Sequence, residues 1–164
     1  MQFLQRHVFK TDKSHVWSVI QQPDFMQAMD EASGIQSNLI SEEHREGALF
    51  NIVNVEFNEP LPDIAARLLG TTQLSWRQEQ LWDAEQFQMH WRILIPNLER
   101  KVHAAGCYQL MDAETTGCCV RQISGEIIVR IPLVGAKIER QIVRRLERSY
   151  EQAAAFTTQW LTEQ

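Results

Sequence analysis

Gly125-Glu-Ile-Ile-Val-Arg-Ile131 runs through Pro132-Leu-Val-Gly135 into Val134 to Leu161, a stretch apolar on one side and charged on the other. The first run has the β-branched alternation of a strand, the proline and glycine break it, and the remainder repeats with helical period. A helix over that span is roughly 40 Å long at ~1.5 Å per residue, enough to cross a whole domain. Steps of ~100° place Ile138, Ile142, Leu146, Ser149, Ala153, Phe156 and Trp160 together, with Lys137, Arg140, Arg144, Glu147, Arg148 and Glu151 opposite. One face of this helix must therefore be buried against something large.

Moving outward from that helix, the last strand carries Ile123, Gly125, Ile127, Val129 and Ile131 on one side. Val102 to Leu110 places Val102, Ala104, Gly106, Tyr108 and Leu110 together, and Phe87 to Ile95 does the same for Phe87, Met89, Trp91, Ile93 and Ile95. Thr72 to Trp82 alternates with Leu74, Trp76 and Trp82 on one face. Ile35 to Glu43 and Leu49 to Phe57 form a hairpin with Gly47 at its tight point. Pro60 to Gly70, opened by prolines and closed by glycine, fits a short helix or flap. At the amino end, Phe3 to Phe9 reads as a strand, and Thr11 or Asp12 caps a helix from Lys13 to Ile20. A second short helix starts at Pro23-Asp24, carries Phe25, Met26 and Met29, and is closed by Gly34. Helices set apart from a run of about six antiparallel strands predict an α+β domain, one sheet curled over one long helix.

With 164 residues, the chain has the size of a single domain, and 44% hydrophobic with 23% charged residues is an ordinary globular balance. A net charge of -5 argues against general nucleic-acid binding, which relies on concentrated Lys and Arg. Arg140, Arg144, Arg145 and Arg148 cluster, but Glu139, Glu147 and Glu151 interleave with them as a solvated helix face. Neither a secretory-type amino terminus nor an apolar run of membrane-spanning length is present, so the expectation is a cytoplasmic protein without integral membrane association. Cys107, Cys118 and Cys119 lack metal-ligand spacing and are expected to remain reduced. No metal or cofactor is implied.

Val16-Trp17-Ser-Val-Ile20 followed by Pro23-Asp24-Phe25, and Ile131-Pro-Leu-Val-Gly-Ala-Lys-Ile-Glu139 leading to Trp160-Leu161, resemble the START-like superfamily, also called SRPBCC or Bet v 1-like. More narrowly they resemble an uncharacterised bacterial branch known as a domain of unknown function. The resemblance spans residues 1–164 as one START-like domain. It implies a helix-grip fold, a curved antiparallel sheet of six to seven strands wrapped on a long C-terminal helix, with two short helices after the first strand. Such folds enclose an apolar pocket between sheet and helix. They serve lipid carriers, hormone and allergen-type binders, cyclases and chaperone cofactors alike, so no single activity follows.

If a pocket is present, its lining is expected from the inward-facing residues Trp76, Met89, Trp91, Tyr108 and Ile127 of the sheet and from Leu146, Ser149, Ala153 and Phe156 of the helix. The small pair Ser149 and Ala153 leaves space between bulky neighbours; close packing of the helix on a tryptophan-rich sheet explains the same pattern. Arg121, in register with Ile123 and Ile127, either anchors the carboxylate of an amphipathic ligand or sits solvated at an exposed strand end, the second reading being preferred. Among the histidines, His7, His15 and His44 are expected at the surface, and His90 and His103 point away from the pocket by strand alternation. No nucleophile motif accompanies them. The expectation is non-catalytic binding or carriage of a small hydrophobic or amphipathic ligand, lipid included, with oligomeric state left open. A cyclase or hydratase-like enzyme acting in the same cavity, and a protein-interaction module, remain as alternatives.

Overall fold

The computed structural model describes residues 1–60, 63, 66–67 and 70–163. In chain order the elements are β1 Gln2–Phe9, α1 Lys13–Val19, α2 Pro23–Ser33, β2 Ile35–Arg45, β3 Ala48–Phe57, β4 Ser75–Asp83, β5 Gln88–Leu94, β6 Val102–Asp112, β7 Cys119–Val129 and α3 Gly135–Thr162. The expected helix or flap over Pro60 to Gly70 lies largely outside the described residues. Asp12, rather than Thr11, caps α1, its carboxylate accepting from the His15 backbone N–H at 2.9 Å. Pro23 opens α2, and Gly34, at φ 65°, closes it with an amide that donates to the Asp30 and Glu31 carbonyls.

All seven strands join one antiparallel sheet in the order β1-β7-β6-β5-β4-β3-β2. The sheet is curved and α3 lies in its grip, the helix-grip arrangement that the sequence implies. Across its middle, Phe3, Gly125, Gly106 and Trp91 are direct cross-strand neighbours. A Cβ at Gly106 would stand 2.5 Å from the Trp91 ring and 2.2 Å from the Ser124 carbonyl, and one at Gly125 2.8 Å from the Phe3 ring. The two glycines therefore let both rings lie down on the sheet, with their centroids 6.4 Å apart. Ile127, 1% exposed, and Val143 of α3, 2% exposed, complete this half of the core. A second cluster, under α1, joins Phe9, Val16, Trp17 and Leu110 to Ala154 of α3.

α3 packs chiefly on β7 and β1, with α2 against it. Its sheet-facing line runs through Val143, Leu146, Tyr150, Ala154 and Thr157. The expected face holds for Ile138, Ile142 and Leu146, which pack against the sheet core, and is rotated beyond them. Ser149 is exposed and Ala153 and Phe156 are half-buried, because Tyr150, one residue and ~100° further round, fills the supposed gap. Its ring stacks 6.0 Å from Phe3.

Arg121 also departs from expectation. It is 4% exposed, not solvated, since the strand continues past it to Cys119 and α3 lies over it. Its guanidinium donates to the Tyr150 carbonyl at 2.7 Å and to His7 Nδ1 at 3.0 Å, and stands over the Phe9 ring at 5.6 Å. His7, expected at the surface, has a side chain only 9% exposed and brings Nε2 to 3.2 Å from Glu151.

Candidate functional site

Strand alternation sends Leu49, Asn51, Val53 and Val55 of β3 to the same face as Trp76, Gln78, Gln80 and Trp82 of β4. This is the concave face, but here α3 stands over the other edge, on β7 and β1. The inner surface of β2–β4 is instead roofed by α2. Between them lies a cleft of about 890 Å³, within the size range of small-molecule sites. Phe25, Met26 and Met29 of α2 line one wall, and Leu39, Leu49, Val53 and Trp82 of the sheet line the other. α2 is held in place by Phe25, which packs edge-on against Trp160 at 5.5 Å and against Phe156 at 5.8 Å.

Half of the residues that line the cleft are polar or charged. Trp82 Nε1 donates to Gln80 Oε1 at 3.0 Å, which fixes the Gln80 amide in the floor. Asn51 Oδ1 is buried and has no hydrogen-bond partner among the described residues. Glu42 and Asp30 stand at the rim. The Asp30 carboxylate accepts from the Ser37 amide at 2.9 Å, and burial raises its pKa against the lowering effect of that hydrogen bond.

None of the residues predicted as ligand-lining borders this cleft. Met89 and Tyr108 lie between the two core clusters, Trp91, Ile127 and Leu146 within one of them, and Arg121 in the polar contact with His7. Trp76 packs on Phe57 at 5.7 Å, and Phe156 backs α2. Burial of the Tyr108 hydroxyl raises its pKa far above the usual phenol value, and the Nε1 of Trp76, the Tyr108 hydroxyl and Arg121 Nε are buried without partners among the described residues. The floor residues missed by sequence reading, Gln80 and Asn51, share strand parity with Trp76 and Trp82, and that parity was the available signal.

On the convex face, His90 and His103 are exposed and border a shallow depression of about 730 Å³ with Cys107, Ser124 and Glu126. They point away from the concave face, as alternation requires. Among the described residues no group of His, Cys, Asp and Glu is arranged to hold a metal ion, and no helix is long and apolar enough to cross a membrane.

The fold is shared with solved structures of low sequence identity. The protein TTHA0849 from Thermus thermophilus superposes with a TM-score of 0.67 at 8% identity, covering 97% of this chain and 95% of that one. The Zhui aromatase/cyclase from Streptomyces sp. R1128 gives 0.66 at 12% identity, with 96% and 91% covered. Norcoclaurine synthase from Thalictrum flavum gives 0.64 at 13% identity, with 100% and 87% covered. These likenesses establish the START-like, Bet v 1-like fold and nothing finer. No curated protein matches the chain by sequence. The family model described as "Protein of unknown function (DUF2505)" matches residues 5–161, and the chain belongs to that family.

Proposed function

We propose that the protein binds and carries a small hydrophobic or amphipathic molecule in the cleft between α2 and the inner surface of β2–β4, without transforming it. The observation that carries this reading is the uncovered half of the concave sheet. α3 takes the β1–β7 side, so Leu49 and Val53 of β3 face the cleft, beside Trp82 of β4, whose ring packs edge-on against Trp17 of α1 at 5.4 Å. A cleft lined in equal parts by apolar and polar residues suits an amphipathic ligand, with an apolar body and a polar end. Asn51 and Gln80 would meet that end, and Phe156 backs α2 through Phe25. Norcoclaurine synthase of the same fold has been observed with dopamine and hydroxybenzaldehyde, which supports small aromatic molecules as a ligand class.

Titration of the chain with 1-anilinonaphthalene-8-sulfonate and with a medium-chain fatty acid, followed by fluorescence and calorimetry, tests this. Saturable binding is expected, lost in Val53→Trp, which fills the cleft, while the melting temperature stays within a few degrees. Binding unaltered by Val53→Trp would refute the location.

Catalysis in the same cleft is the second reading, resting on Asp30 and Glu42 at its rim. An Asp30 whose pKa is raised by burial is a candidate proton donor. Turnover of an aromatic or polyketide-like substrate that is lost in Asp30→Asn, with binding retained, would favour it over carriage.

A further inference from the structure

Leu133, in the turn between β7 and α3, is 105% exposed and has φ 68°. A leucine gains nothing from either condition, since the left-handed region crowds its Cβ and water solvates its side chain poorly. Its neighbour Val134 is 42% exposed and occupies the N-cap of α3 without a capping hydrogen bond, where Ser, Thr, Asp or Asn would serve. The turn is nevertheless firmly fixed. Val134 N–H donates to the Pro132 carbonyl at 2.9 Å and Gly135 N–H to the Ile131 carbonyl at 2.9 Å. A Cβ at Gly135 would stand 2.2 Å from the Val129 carbonyl, so only glycine lets the chain pass this close. The result is a rigid apolar tip held out in solvent.

Cations flank the tip along the chain and across one backbone hydrogen bond. Arg130 N–H donates to the Lys101 carbonyl at 2.7 Å, which ties the β5–β6 turn, with Arg100 and Lys101, to the β7–α3 turn. Lys137 and Arg140 follow on the first turns of α3. All of these side chains are exposed, and none joins an ion pair among the described residues. Of the two acidic groups among them, Glu139 is committed to the Val129 amide at 2.8 Å and the chain's amino terminus at 3.3 Å, and the exposed Glu99 accepts from the Asn97 amide at 3.2 Å. Cations at a helix N-terminus oppose its macrodipole, so helix stability does not explain them. Nor does overall charge, since the chain as a whole carries -5.

We propose that the β7–α3 turn docks on an anionic membrane surface, Leu133 and Val134 entering the headgroup and acyl boundary while Arg100, Lys101, Arg130, Lys137 and Arg140 meet acidic lipid headgroups. A protruding apolar tip flanked by cations matches an interface that is anionic outside and apolar a few ångströms below. A protein partner would need a socket for one fully projecting leucine and an acidic rim around it, a more particular demand. Docking is peripheral and independent of what the cleft holds.

The test is co-sedimentation of the full chain with vesicles of mixed phosphatidylcholine and phosphatidylserine, against pure phosphatidylcholine. Binding to the mixed vesicles is expected, falling as salt rises. Leu133→Gly should weaken it about ten-fold or more through lost apolar burial, and Arg130→Gln and Lys137→Gln about five-fold each. Glycine relieves the positive φ, so Leu133→Gly should melt at or above the wild-type temperature; Leu133→Asn, also tolerant of this region, is the second variant. Val53→Trp should bind vesicles like wild type, which separates this proposal from the cleft. Equal affinity for both vesicle types, or unchanged binding by both Leu133 variants, would overturn it. Concentration-dependent self-association abolished by Leu133→Gly, without vesicle binding, would overturn it as well and assign the tip to a second copy.

Discussion

His7 links a buried cation to an exposed carboxylate through one imidazole ring. Arg121 can only donate, so His7 Nδ1 accepts, and the ring proton sits on Nε2, facing Glu151. Protonating Nδ1 would set imidazolium against guanidinium. Burial first, then Arg121, lowers the His7 pKa from 6.5, while Glu151 on α3 works the other way. The unfolded chain therefore binds this proton more readily than the folded one. Stability from this group is fully present above pH ~6.5, falls as pH drops toward the lower folded value, and levels off below it. Urea melts from pH 7.5 to 5 should show that decline in the wild type and a flatter profile in His7→Gln. Arg121→Met takes the donor from His7 Nδ1 and the second donor from the Tyr150 carbonyl, and should cost about 1–3 kcal/mol by the same measurement. Gly106→Ala drives a methyl into the Trp91 ring and the Ser124 carbonyl, so a loss of about 1–3 kcal/mol or more is expected. In the sequence the parity of Arg121 was legible, but the neighbour that buries it was not, since His7 lies 114 residues away along the chain.

Among the elements, α3 was the easiest to read and the easiest to misplace. Its span and its amphipathic character follow from apolar spacing, and Ile138, Ile142 and Leu146 face the sheet core as expected, yet from Ser149 onward the sheet-facing line runs one residue away, through Tyr150, Ala154 and Thr157. Phe156 and Trp160 draw the apolar stripe to one flank near the C-terminal end. The structure uses that flank for α2, through Phe25, while Ile138, Ile142 and Leu146 join Val143 and Tyr150 on the sheet core. Periodicity alone cannot apportion one broad stripe between two partners. The consequence is testable: Ala154, 8% exposed beneath α1, should tolerate enlargement poorly, Ala154→Phe costing about 1–3 kcal/mol. Phe25→Ala should cost about 3–5 kcal/mol through the lost contact with Phe156 and Trp160, and it should open the roof of the cleft, measurable as faster hydrogen exchange in Pro23–Ser33.

For the whole molecule, the run of strands, the place of the two short helices and the long terminal helix were present in alternation, helical period and turn residues, and the helix-grip arrangement came from the family resemblance; the order of strands within the sheet was not legible. Neither was the cleft's position. It depends on α3 crossing the β1 side of the sheet and leaving β2–β4 to α2, a matter of long-range packing that leaves little trace in local pattern; Leu39, exposed on β2, and the mixed Asn51 and Gln80 on a strand face were its only marks. What the fold then provides is a container, and the decisive question is whether it is filled. Native mass spectrometry of the freshly purified chain answers it. A bound mass of small-molecule size, retained in the wild type and absent in Val53→Trp, is the expected result. A bare mass in both, with no uptake of added fatty acid or aromatic amphiphile by either, would contradict carriage in this cleft.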